Sequence, residues 1–172
     1  MNFGPTSRTV VVGTGNLVRT DDGLGVHAIQ RLQADPRVPN DITLIDGGTF
    51  GIELVAYLCD SARLLLLDAV DVGKPAGTMV RLAGDDLRGL PCGASVHQLG
   101  VADLLATLPL VSDTPREIVL LGLQPASTDW GIQLSPLVEA SLGTLVDAAV
   151  EQLLLWSLET AKNLAGCADT SR

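Results

Sequence analysis

Apolar residues recur along this chain in two rhythms. Short unbroken runs such as Val10-Val11-Val12, Leu64-Leu65-Leu66-Leu67 and Ile118-Val119-Leu120-Leu121 read as strands buried on both faces, as in a parallel sheet. Between them apolar residues return every three or four positions, the period of a helix with one buried face. Leu24, Ala28, Ile29 and Leu32 form one such stripe, and Leu99, Ala102, Leu105 and Leu108 another. The longest is Val138, Leu142, Leu145, Ala149, Leu153 and Trp156. The pattern predicts strands over 8–12, 41–45, 63–67, 77–82 and 117–124, the fourth antiparallel or at an edge. It predicts helices over 23–34, 51–58 and 97–108, and a last helix opened by Ser135 as cap and Pro136 in its first turn. Loops are expected at 109–115 and 125–133, and an exposed flap at 83–94.

Strands that alternate with helices imply an α/β fold: a three-layer sandwich, a twisted and mostly parallel sheet with helices on both faces. No repeat or linker divides the chain, so a single domain is expected over 1–172, with 1–7 and 163–172 as loose tails. Three strand ends run into acidic or glycine-rich turns, after Val12, Ile45 and Leu67. In a parallel sheet those ends share one edge, where open α/β sheets bind ligands. That geometry is expected to gather Asp22, Asp46 and Asp68.

Composition narrows the chemistry. The 172 residues are 47% hydrophobic but only 3% aromatic, so the core must be aliphatic. A net charge of -9 with no basic run excludes a nucleic-acid binder, which needs clustered Lys and Arg. The three cysteines, Cys59, Cys92 and Cys167, form no C-x-x-C pair; they suit a reducing cytoplasm rather than a disulfide framework. No apolar signal region or spanning segment is read, so a cytoplasmic protein without membrane contact is expected. Without an exposed heptad seam, a monomer is the default.

The glycine-rich turn 13–25 begins like a dinucleotide loop, Gly13-Thr14-Gly15, but carries Val18 at the third glycine position. The helix also starts too late to meet a pyrophosphate. No Gly-x-Ser-x-Gly elbow is present. Asp22 and Asp21 can each be read as a helix cap, and Asp68 as a strand-end carboxylate bonding loop N–H groups. His27 falls between apolar-face positions of a helix and reads as a surface histidine. His97, in Ser95-Val96-His97-Gln98, stands where a loop meets a helix start and is either a buried, hydrogen-bonded histidine or a ligand. Two carboxylates and one imidazole make a three-ligand site with open positions, suited to a borderline divalent metal such as nickel or zinc.

The turn 13–25 resembles the N-terminal motif of the hydrogenase maturation proteases, endopeptidases that process the large subunit of nickel–iron hydrogenases. Further motifs follow in the same order: Leu44-Ile45-Asp46-Gly47-Gly48-Thr49, Leu67-Asp68-Ala69, Pro75-Ala76-Gly77-Thr78 and His97-Gln98-Leu99-Gly100. The resemblance spans roughly 8–155. It implies a metal-binding and catalytic trio of Asp22, Asp68 and His97, with nickel supplied by the large-subunit precursor rather than held by the free enzyme. It implies recognition of that nickel and removal of a C-terminal extension. Asp22 stands where many members carry Glu, one methylene longer; Asp21 can compete with it as ligand, though the motif favours Asp21 as the cap or a loop-stabilising partner. Either a metal-bound water attacks the scissile carbonyl, or an aspartate acts as general base while nickel positions the peptide. Asp46, Gly47, Gly48 and Thr49 are expected to contact the substrate tail, and the 83–94 loop to adapt to it. The rival expectation is a non-enzymatic, nickel-dependent checkpoint that holds the precursor without cutting it.

Overall fold

The computed structural model describes residues 8–89, 96–111 and 115–169, with side chains at all of these except 88–89, 96–103 and 164–169. Five strands, β1 (Thr9–Thr14), β2 (Thr43–Gly48), β3 (Arg63–Ala69), β4 (Met79–Ala83) and β5 (Glu117–Leu123), form one sheet in the order β2-β1-β3-β5-β4. All pairings are parallel except that of β4, which runs antiparallel to β5 at the sheet's edge. Among the described residues four α-helices accompany them: α1 (Leu24–Gln33), α2 (Val55–Leu58), α3 (Val96–Val111) and α4 (Pro136–Asp169). The expected α/β sandwich is therefore the observed one.

The alternation of side chains along each strand sorts the core into two halves. Val11, Leu65, Leu67, Val119 and Leu121 face α1 and α4, which contribute Leu24, Ile29, Leu142, Leu145 and Trp156 among others. Val10, Val12, Leu64, Leu66 and Leu120 face Leu54, Leu58, Leu104 and Leu108 of the α2–α3 side. β1 and β3 are buried along their whole length, which is why they read as unbroken apolar runs.

Several boundaries differ from the sequence reading. β1 reaches Thr14, β2 reaches Gly48 and β3 reaches Ala69, because ladder pairing extends each strand past its apolar run. Helix α1 does not begin on an aspartate cap. A 3-10 turn, Thr20–Gly23, precedes it, and its N-cap is Gly23 with no side-chain cap bond. A second 3-10 turn, Ile52–Leu54, takes the first half of the helix expected at 51–58. α3 runs through Pro109 to Val111, where a loop is expected; the proline falls in the last turn, so few later hydrogen bonds depend on it. Gly84–Gly89 is 3-10 helical within the expected flap, while 90–94 lies outside the described residues. The same holds for the expected N-terminal tail, for 112–114 in the expected loop and for 170–172. α4 continues past Asn163 to Asp169 through Leu164, Ala165 and Ala168, which favour helix.

The start of α1 lies directly on the sheet, and glycines make that approach possible. A Cβ on Gly25 would overlap the backbone oxygens of Leu67 and Thr14, and one on Gly13 would overlap the Gly25 carbonyl. This contact fixes the 3-10 turn against the carboxyl ends of β1 and β3.

Candidate active site

The turn after β1 folds back on itself at this edge. Gly15, at φ 142°, has a backbone that side chains rarely adopt. Its N–H donates to the Gly48 carbonyl at 2.7 Å, joining the turn to the end of β2. The N–H of Asn16 donates to the Asp22 carbonyl at 3.2 Å, and that of Asp22 to the Arg19 carbonyl at 3.0 Å. Asp22 is thereby held inside the protein, 5% exposed.

Asp68 sits one residue before the end of β3 and is 1% exposed. It follows Leu64 and Leu66 in the strand alternation, on the side covered by α2 and α3. Its Oδ1 accepts the Ala69 N–H at 2.8 Å. Loss of water around the carboxyl pushes its pKa up to about 8. The Ala69 N–H opposes that rise, the negative charge of Asp22 adds to it, and the Thr14 hydroxyl opposes it. Asp22 and Asp68 are thus electrostatic neighbours in a dry site. Such a pair offers hard oxygen donors to a cation, or a proton acceptor and a proton donor to a substrate.

The third strand-end carboxylate does not join them. Asp46 is exposed, and its Oδ1 accepts the Gly48 N–H at 3.0 Å within its own turn. Its register partner on β1 is Gly13, a residue short of the strand end. The expectation that Asp22, Asp46 and Asp68 come together therefore holds for two of the three. Gly47 is buried against Val12 and Leu54, while Thr49 is exposed. The 46–49 turn adjoins the Asp22 turn through the Gly15–Gly48 bond.

His97 is the second residue of α3, a helix that packs through Leu104 and Leu108 onto the sheet face shared by Leu64 and Leu66. The imidazole lies outside the described side chains. Among the described residues no group of three His, Cys, Asp or Glu is placed to hold a metal ion. His27 is half-buried on α1. Cys59 is a free thiol whose Sγ donates to the Val55 carbonyl at 3.2 Å, while Cys92 lies outside the described residues.

Two participants were not legible as such in the sequence. Thr14 flanks the carboxylates only because β1 extends to it. Asp21 is fully buried, and its carboxylate accepts from the N–H groups of Ala126, Ser127 and Ser135 and from the Ser135 hydroxyl. It was expected to cap a helix or stabilise a loop; it does the second, with partners more than a hundred residues away.

Residues 26–152 match the family model described as hydrogenase maturation protease. The chain belongs to the hydrogenase maturation protease family. It is 35% identical over 176 residues to the hydrogenase expression/formation protein HupD of Bradyrhizobium diazoefficiens, covering 98% of this chain and 91% of that protein. It is 35% identical to the hydrogenase 2 maturation protease of Escherichia coli, covering 86% of this chain and 88% of that one. The hydrogenase maturating endopeptidase HybD from E. coli superposes with a TM-score of 0.79 at 32% identity, over 85% of this chain and 91% of its own. The model match begins after Asp22 and includes Asp68 and His97; the HupD relative extends the likeness across the first turn.

Exposed apolar side chains stand on loops at this carboxyl edge of the sheet. Leu17, Val18 and Phe50 lie on the β1 and β2 turns, and Trp130 and Ile132 on the loop after β5. Arg19 covers the Trp130 ring at 5.5 Å from its centre. No described helix is long and apolar enough to cross a membrane.

Proposed function

We propose that this protein is the endopeptidase that removes the C-terminal extension from the precursor of a nickel–iron hydrogenase large subunit. It recognises the precursor by the nickel already bound there, and acts in the cytoplasm as a monomer. The observation that carries this reading is the buried Asp22–Asp68 pair at the carboxyl edge of the sheet in a chain of this family. Without a cation, burial and mutual repulsion hold Asp68 toward its protonated form. A divalent cation between the two reverses that preference, because the largest local charge then favours the ionised carboxylates. Nickel belongs to the substrate in this reading. His97 is the third ligand, its imidazole a donor type that nickel accepts readily.

The peptide then lies along the turns that rim the pair, with Asp46, Gly47, Gly48 and Thr49 against its tail. One aspartate oxygen takes a proton from a water, and the water oxygen adds to the scissile carbonyl carbon. Collapse of the tetrahedral intermediate breaks the C–N bond, and the leaving amine takes the proton back from the carboxyl. Nickel holds the peptide in place and polarises what it binds.

Mixing the purified protein with nickel-loaded precursor and following the large subunit by mass spectrometry tests this. The expected result is loss of a C-terminal peptide with the loaded precursor only, and none with Asp22→Ala or Asp68→Ala. Binding without truncation of loaded precursor overturns the endopeptidase reading and leaves a nickel-dependent checkpoint.

A further inference from the structure

Asp22 hangs from a turn that is not secured by its own helix, since the N-cap of α1 has no side-chain bond. Besides the bonds within the turn, contacts from the far end of the chain secure it. Asp21 accepts the Ala126 and Ser127 N–H groups on Oδ2 at 2.8 and 3.1 Å. The Ser135 N–H reaches Oδ1 at 2.6 Å, and the Ser135 hydroxyl reaches Oδ2 at 2.8 Å. Backbone bonds run alongside: Asp21 N–H to the Ser127 carbonyl at 3.2 Å, Thr20 N–H to the Gly131 carbonyl at 2.8 Å, and Gly131 N–H to the Val18 carbonyl at 3.1 Å. Thr20 is held at φ 38°, a conformation that costs a β-branched residue energy. Its hydroxyl donates to the Ser127 carbonyl at 2.7 Å. The strain is maintained by these attachments, one residue before Asp21 and two before Asp22.

We propose that Asp21 is a positioning residue, whose carboxylate locks the 19–23 turn onto the 126–135 segment and so sets where Asp22 stands relative to Asp68. The four bonds to Asp21 hold the turn that carries Asp22. The same lock ties the loop carrying Trp130 and Ile132 to the Asp22 turn. This rests on the reading of Asp22 and Asp68 as the reactive pair.

Three variants separate positioning from bulk stability. Asp21→Asn keeps the shape but turns an amide NH2 toward donors. Ser135→Ala removes the hydroxyl bond alone and serves if Asp21→Asn does not fold. Leu145→Ala, in the α1–α4 half of the core, is a control that loses stability elsewhere. With nickel-loaded precursor, below the unfolding temperature of every variant, Asp21→Asn should lower kcat by about 100-fold, the cost of misplacing a reacting group by an ångström or so. KM should stay within about threefold, because the 46–49 turn proposed to hold the peptide tail makes no bond to Asp21. Ser135→Ala should fall between, and Leu145→Ala should match the wild type. Amide hydrogen exchange gives a readout that needs no activity. The Asn16 and Asp22 amides should exchange faster in Asp21→Asn, with Val10 and Val12 still protected. Equal kcat in Asp21→Asn and Leu145→Ala, or unchanged exchange at Asn16 and Asp22, overturns the proposal. If the wild type cleaves no loaded precursor, the endopeptidase reading falls, and exchange alone decides whether Asp21 positions Asp22.

Discussion

Replacing Asp68 with Asn isolates the cost of burying a carboxylate at the site. In the folded protein the Asp68 carboxyl holds its proton up to about pH 8, against 3.8 for an ordinary aspartate. The folded state therefore binds this proton more tightly than the unfolded chain does. The associated stability is fully present below pH 3.8 and is lost as pH rises through about 8. The whole difference corresponds to about 6 kcal/mol at 25 °C, and about half of it falls between pH 5 and pH 7. Asn is neutral at every pH and keeps an oxygen for the Ala69 N–H, so the variant loses this dependence. Urea unfolding at pH 5, 6 and 7, followed by the fluorescence of buried Trp156, measures both proteins. Asp68→Asn should gain on the wild type by about 3 kcal/mol across that range. Asp22→Asn should remove only a small part of the wild-type dependence, because burial raises the Asp68 pKa more than the Asp22 charge does. A wild-type-minus-variant difference that stays flat from pH 5 to pH 7 refutes the reasoning.

Other substitutions test the framework around the pair. Asp21→Ala leaves three backbone N–H groups and one hydroxyl, all part-buried, without their acceptor, and should cost about 2–3 kcal/mol in urea unfolding. Gly25→Ala drives a Cβ into the backbone oxygens of Leu67 and Thr14 and should yield no soluble folded protein on expression. Gly143→Ala, on the exposed side of α4 with nothing near its Cβ, should raise stability by up to about 1 kcal/mol. The Arg63 guanidinium donates to the Trp156 carbonyl at 2.6 Å, to Thr160 at 2.8 Å and to Glu159 at 2.6 Å. Arg63→Met should therefore lower the melting temperature, and Arg63→Lys should not restore it, since one ammonium cannot reproduce the fork.

The fold was legible wherever burial alone decides structure. Leu64 to Leu67 read as a central strand because both faces are covered, and the α4 stripe from Val138 to Trp156 is buried as its spacing predicts. Legibility failed where pairing or distant contacts decide. Thr14 and Asp68 look like loop residues, yet neighbouring strands draw them into the ladder. Asp21 looks like a cap because its nearest free N–H groups are those of α1. Its actual donors lie at 126–135, and no local pattern encodes them. At the site, the shared edge correctly brought Asp22 and Asp68 together. It failed for Asp46, whose carboxylate is satisfied within its own turn and stays in solvent.

A carboxyl that releases its proton near pH 8 is set close to the working range rather than far from it. At pH 7 ionising it costs about 1 kcal/mol, much less than a divalent cation returns at a desolvated pair of oxygens. On the proposed reading, the free protein rests with Asp68 neutral, which spares the fold the full repulsion from Asp22. Arrival of a nickel-bearing precursor then completes the ionised pair and displaces one proton. Proton release on binding is therefore expected, and titration calorimetry in two buffers of different ionisation enthalpy measures it. About one proton should be released at pH 7 with loaded precursor, and none with Asp68→Asn. Equal release from wild type and Asp68→Asn would show that the cation is met elsewhere on the protein, and the pair would lose its place at the centre of recognition.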